Sequence, residues 1–171
     1  NELRSFEEKE FSAVDSLVLS QFCYADFERL VPGFSNEFPH VKIKDLLKAE
    51  HFNAMFKGVM YYEKNLNLLY ALAASPRFRD IKMMFYVDKL DYKQEKQFSA
   101  VTYQIDDHTH YVSYRGTDMT FVGWKEDFNM AFKNPIPSQE EGVEYLNAVG
   151  KLVDGDIIAG GHSKGGNIAV Y

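Results

Sequence analysis

Apolar positions in the first third of the chain recur at helical intervals. Val14, Leu17, Val18, Phe22 and Ala25 form one series, opened by Ser12 and Asp15 at capping-box spacing and closed by Pro32 and Gly33. A second helical stretch covers about Ile43 to Glu50. A third covers about Glu63 to Ala74, with Leu66, Leu69, Tyr70 and Ala73 on one face and Pro76 as the stop. From Ile81 the period changes: Met84 to Asp88 and Phe98 to Ile105 are rich in aromatic and β-branched residues, which fit a pleated, half-buried surface. The polar run Asp106, Asp107, His108, Thr109 joins Val101–Ile105 to His110–Tyr114, which predicts a hairpin. Beyond Pro135 and Pro137, Ser138 and Glu141 open a helix carrying Val143, Leu146, Val149 and Leu152. Asp156 to Ala159 then reads as a short buried strand, followed by a glycine-rich turn and the apolar start of another helix at Ile168.

Strand, helix, strand in this order is a crossover unit, which nearly always sets its two strands parallel. The expected fold is therefore α/β, a helical first third followed by a mixed sheet. No internal repeat or low-complexity linker divides the chain, so residues 1–171 are expected to form one domain. With 46% hydrophobic and 26% charged residues the composition excludes global disorder. The 25 acidic and 19 basic residues give a formal charge of -6, the wrong sign for neutralising a phosphate backbone, so no nucleic acid partner is expected. The single cysteine, Cys23, precludes an internal disulfide and reads as a small buried hydrophobe; a reducing, cytoplasmic setting is expected. No apolar run approaches the roughly 20 residues of a membrane helix. Asn1, Glu2, Leu3 and Arg4 lack the basic-then-apolar order of a secretory signal.

Candidate chemistry centres on Gly161-His162-Ser163-Lys164-Gly165, a G-x-S-x-G run between a predicted buried strand and a helix. A sharp strand-to-helix turn there holds Ser163 in a strained conformation with Oγ above the sheet, and needs small residues two positions before and after it. It also leaves the backbone N–H of Lys164 to bind a developing oxyanion. A phosphate-binding Walker loop fails on order, because Lys164 follows Ser163 and precedes the glycines. A second run, Tyr114-Arg115-Gly116-Thr117 with Trp124 and Asp127 behind it, ends a predicted strand. Thr117 can offer both a backbone N–H and a hydroxyl to the same oxyanion.

These motifs in this order resemble the class 3 (fungal-type triacylglycerol) lipases. The closer likeness is to an uncharacterised bacterial branch, through Gln97-Phe98-Ser99-Ala100, Arg115-Gly116-Thr117-Asp118, Gly123-Trp124-Lys125-Glu126-Asp127 and Gly161 to Asn167. The N-terminal Val14 to Phe27 segment is similar to that branch as well. The resemblance implies an α/β-hydrolase fold and a serine ester hydrolase acting on a small-molecule ester or lipid. In it Ser163 is the nucleophile, Thr117 and Lys164 form the oxyanion hole, and Asp127 supports the Thr117 loop; no cofactor and no metal are implied. The lipases usually carry an aliphatic residue where Lys164 stands, which predicts a more polar pocket floor here. Their acid and histidine follow the serine, so the domain is expected to continue past Tyr171.

The alternative is a catalytically inactive lipase-like module that binds a lipid, glycan or protein partner. None of His40, His51, His108, His110 and His162, which all precede Ser163, is assigned as its base. Asp106, Asp107, His108 and His110 have a spacing compatible with a divalent metal, and an exposed polar turn is the preferred reading. Phe121, Val122, Trp124, Phe128, Met130 and Phe132 form an aromatic-rich cluster, expected in the core rather than as a pocket wall or lid.

Overall fold

The computed structural model describes residues 3–35, 37, 39–118 and 121–171; Asn1 and Glu2 of the N-terminal reading lie outside them. The helical first third holds α1 (Ala13–Phe22), the two-residue β1 (Val41–Lys42), a 3-10 turn (Ile43–Leu46), α2 (Ala49–Phe56) and α3 (Tyr62–Ala74). Then follow β2 (Lys82–Asp91), β3 (Lys96–Gln104), β4 (Thr109–Tyr114), α4 (Phe121–Asn129), α5 (Pro137–Gly150), β5 (Asp156–Gly161) and α6 (Lys164–Val170). The strands form one mixed sheet in the order β1-β2-β3-β4-β5. The pairs from β1 to β4 are antiparallel, and β4 and β5 are parallel through the α5 crossover. No helix among the described residues is long and apolar enough to cross a membrane.

Period-2 alternation gives the sheet two buried faces. Val101, Tyr103 and Tyr111 point into a core shared with Leu19, Phe22 and Leu69 of the N-terminal helices. Phe98, Ala100, Val112 and Tyr114 point the other way, beneath Tyr145 and Val149 of α5 and Ile168 of α6. Cys23 is fully buried on the first face, where burial pushes its thiol up to about 12, and its Sγ donates to the Ser113 carbonyl. One extra residue on β2 between Met84 and Val87 makes a bulge, and Phe85 within it has φ of 56°.

Three helical faces depart from the periodicity. On α1 the buried residues are Asp15, Leu19, Ser20 and Phe22, whereas Val14 and Leu17 are exposed. The rotation follows from Asp15, which is pulled inward by Arg77. On α3 the polar Asn65 is buried with Leu69 and Leu72 because it donates to the Met60 carbonyl at 2.8 Å and accepts from Gln21 at 2.9 Å; Tyr70 is left exposed. On α5 the inward series is Gly142, Tyr145 and Val149; Val143 is exposed, as is Leu152 just past the helix end. The Tyr145 hydroxyl sets that face by reaching Thr102 Oγ1 at 2.9 Å and the Phe85 carbonyl at 2.8 Å. This helix also starts earlier than Ser138, with Gln139 Oε1 accepting the Ile136 N–H. The stretch expected as one helix from Ile43 to Glu50 divides at Leu47 and Lys48, whose backbones leave the helical region with ψ of 67° and 117°.

Arg77 staples the N-terminal segment to the end of α3. Its Nε and NH2 groups donate to the two Asp15 oxygens at 2.7 Å each, and the remaining donors reach the carbonyls of Arg4, Ser5, Lys9 and Glu10. Burial acts to raise the Asp15 carboxyl, but hydrogen bonds from Arg77 and Ser12 outweigh it and hold the group below its ordinary value. A depressed folded-state value stabilises the fold above the ordinary carboxylate range and ceases to do so as pH falls through it. Asp15→Asn should therefore cost about 3 kcal/mol at neutral pH. The gap to the parent should close in acid, as read by urea denaturation across a pH series.

Candidate active site

β4 and β5 run parallel in register to their ends, with Tyr114 opposite Gly161, so the segments that leave them emerge side by side at one end of the sheet. The turn after β5 is tight. Ser163 has φ of 56° and ψ of -124°, a backbone conformation that costs a non-glycine residue about 1 to 3 kcal/mol and persists only when its surroundings impose it. The surroundings here are backbone contacts. A Cβ on Gly165 would stand 2.0 Å from the Tyr114 carbonyl oxygen, and one on Gly161 would stand 2.4 Å from the Gly165 carbonyl carbon. Only glycines let α6 descend onto the ends of both strands.

The loop after β4 is drawn to this turn with equal closeness. A Cβ on Gly116 would stand 2.0 Å from the Tyr24 hydroxyl and 2.6 Å from the His162 carbonyl. Arg115 anchors the loop from behind, buried and paired with both oxygens of Asp88 on β2, at 3.2 and 2.9 Å. Thr117 Oγ1 donates to Asp127 Oδ2 at 2.5 Å. The hydroxyl proton is thus committed to the carboxylate, and of the two donors expected from Thr117 the backbone N–H is the one left for an oxyanion.

Ser163, Thr117 and Asp127 line a common cavity of about 530 Å³. Its matching wall comes from far earlier in the chain, from Gln21, Tyr24, Asp26 and the Lys57 to Tyr61 turn. Tyr24 had no signal in the sequence beyond its motif neighbours. Its hydroxyl hydrogen-bonds with His162 Nδ1 at 3.0 Å, and burial pushes its pKa up to about 12, so it stays protonated at neutral pH. Among the described residues, no histidine ring is hydrogen-bonded to Ser163: His162 is turned to Tyr24, and His110 is buried on β4.

The expectation of a polar pocket floor at Lys164 is overturned. Its side chain is fully buried and runs behind the cavity wall, where Nζ meets Glu126 Oε2 at 2.8 Å, the Gln97 carbonyl at 2.7 Å and Gln97 Oε1 at 3.2 Å. The second Glu126 oxygen accepts from the N–H and hydroxyl of Ser138 at 3.0 and 2.6 Å, which is why Ser138 does not cap α5. The core assignment of the aromatic cluster is also overturned. Val122 is buried as expected, but Phe121, Trp124 and Phe128 of α4 and Phe132 just beyond it are 65 to 81% exposed, because α4 turns Val122, Gly123 and Glu126 inward and its aromatics outward; Trp124 sits at the cavity rim. Among the described residues no group of three or more His, Cys, Asp or Glu side chains is placed to hold a metal. Asp106 instead accepts the N–H groups of His108 and Thr109 and closes its own turn.

A family model described as Mbeg1-like matches residues 72–171, more than half of the chain. No curated protein and no solved structure matches. The match takes in Thr117, Asp127, Ser163 and Lys164, while the opposite cavity wall lies outside it. Gly165→Ala should destabilise the protein by about 1 to 3 kcal/mol through overlap with the Tyr114 carbonyl. Ser163→Gly should stabilise it by about 1 kcal/mol by relieving the positive φ; chemical denaturation of both variants beside the parent checks the pair.

Proposed function

The chain belongs to the Mbeg1-like family, which is related to lipase-like class 3 proteins, and from that premise we propose a serine ester hydrolase of α/β-hydrolase type with Ser163 as nucleophile. The observation that carries the reading is the positive-φ serine between β5 and α6, opening onto the cavity that Thr117 also lines. In an inert glycine-rich turn nothing would require a serine in that conformation. In a nucleophile elbow such strain lifts the serine Oγ clear of the sheet and leaves the next N–H, that of Lys164 in this reading, beside it.

In this mechanism Ser163 Oγ attacks the ester carbonyl carbon and its proton passes to an imidazole. In the class 3 lipases that imidazole belongs to a histidine held by an acid. The carbonyl oxygen, now negative, accepts from the backbone N–H groups of Lys164 and Thr117, which are fixed before the reaction and need no reorganisation during it. Asp127 holds Thr117 through its hydroxyl. The C–O bond to the alcohol breaks, the alcohol leaves with the proton, and water repeats the sequence on the acyl-serine to release the acid.

One observation favours a second reading, a lipase-like module that binds a lipid, glycan or protein partner without turnover. The exposed aromatic face of α4 adjoins the cavity through Trp124, and a patch of this kind marks a contact surface.

Hydrolysis of short and medium-chain p-nitrophenyl esters by the full-length protein separates the two. The hydrolase reading expects turnover that Ser163→Ala abolishes. Asp127→Asn, which loosens the Thr117 loop, should lower kcat by about 10- to 100-fold. Ligand binding that survives Ser163→Ala, with no turnover by the parent, would establish the module instead.

A further inference from the structure

We infer that the buried Lys164–Glu126 pair is a strut that sets the distance between the two halves of the oxyanion hole, which makes Lys164 and Glu126 positioning residues as well as parts of the core. The inference rests on the reading of Ser163 as nucleophile. Lys164 contributes its N–H to one side of the hole. The other side is Thr117, on a different loop, and β4 and β5 fix only where the two loops begin.

Two hydrogen-bonded routes lead from Lys164 Nζ to the Thr117 loop. The first passes to Glu126 at 2.8 Å, along the backbone of α4 to the adjacent Asp127, and on to Thr117 Oγ1 at 2.5 Å. The second passes to Gln97 Oε1 at 3.2 Å, which also accepts the Asp118 N–H at 3.4 Å. Glu126 and Gln97 are locked to each other, because the Gln97 N–H donates to Glu126 Oε2 at 3.0 Å. Glu126 is held from α5 as well, through the N–H and hydroxyl of Ser138. Lys164 and Glu126 are 0 and 1% exposed in their side chains, so the pair is shielded from solvent screening.

A buried pair of this kind carries a desolvation penalty and is weak evidence for stability, since apolar replacements of both partners are often neutral. Its value lies in direction. An apolar side chain at position 164 would fill the same space and leave α4 able to slide, whereas an ammonium shared by a carboxylate, a carbonyl and an amide oxygen permits one arrangement. Misplacement of a catalytic group by about 1 Å can cost about 100-fold in rate. This also accounts for Lys164 standing where the lipases carry an aliphatic residue: the side chain never faces the substrate.

The test uses the full-length protein with Lys164→Met and the charge-neutral pair K164M/E126Q, the second keeping the fold available if a lone buried Glu126 unfolds the first. Amide hydrogen exchange is the readout that needs no activity. The strut predicts exchange faster by about tenfold or more in residues 115–118 and 163–165 of the double variant, with the centre of β3 unchanged. On an ester substrate it predicts a fall in kcat of about tenfold or more with KM nearly constant. Unchanged exchange at both loops, or acceleration spread evenly over the sheet, would overturn the strut. Should the parent show no serine-dependent turnover, the hydrolase reading falls, and the exchange pattern still decides whether the pair fixes the two loops.

Discussion

The contact on which the site depends is between backbones: the Tyr114 carbonyl at the end of β4 occupies the place a side chain on Gly165 would take. It brings the start of α6 down onto two parallel strands and forces the intervening residue, Ser163, into a positive φ. The same closeness places the Gly116 loop against the His162 carbonyl. A strained serine and a neighbouring loop packed against its turn are thus two results of one steric arrangement. That arrangement exists because the α5 crossover makes β4 and β5 parallel neighbours.

Ion pairs with at least one buried partner then fix what the backbone leaves adjustable. Arg77 with Asp15 ties the N-terminal segment to α3, Arg115 with Asp88 ties the Thr117 loop to β2, and Lys164 with Glu126 ties α6 to α4. Each joins segments that chain connectivity leaves far apart, and further hydrogen bonds to backbone carbonyls complete the Arg77 and Lys164 groups, offsetting the cost of burying their charge. The cavity takes its chemical side from the family-matched region and its facing wall from residues 21–61, with Tyr24 joining the two through His162. The two walls of the cavity are in this way carried by different stretches of the chain.

The strand regions, the β3–β4 hairpin, the parallel crossover and the strand-turn-helix around Ser163 were legible in the sequence because each rests on local pattern. A period of two, a polar turn and a glycine spacing leave few alternatives. Helix faces were less legible where a polar residue governs rotation: Asp15 and Asn65 face inward because partners distant in sequence satisfy them, and no apolar periodicity reports that. The exposed α4 aromatics show the converse, since the inward face is made by Val122, Gly123 and the charged Glu126. Of the cavity lining, Ser163 was nameable from its G-x-S-x-G spacing, and Thr117 and Asp127 from the family resemblance. The side chain of Lys164 was misplaced, because its partners Gln97 and Glu126 lie 67 and 38 positions away.

The central claim is that the strained serine is a nucleophile, and active-site labelling reads it most directly. The full-length protein would be treated with a fluorophosphonate, digested, and the adduct located by mass spectrometry. The account predicts one phosphonylated residue, Ser163, with labelling suppressed by an ester substrate and absent from Ser163→Ala. An unmodified Ser163 in folded protein, or an adduct at another serine that persists in Ser163→Ala, would contradict it.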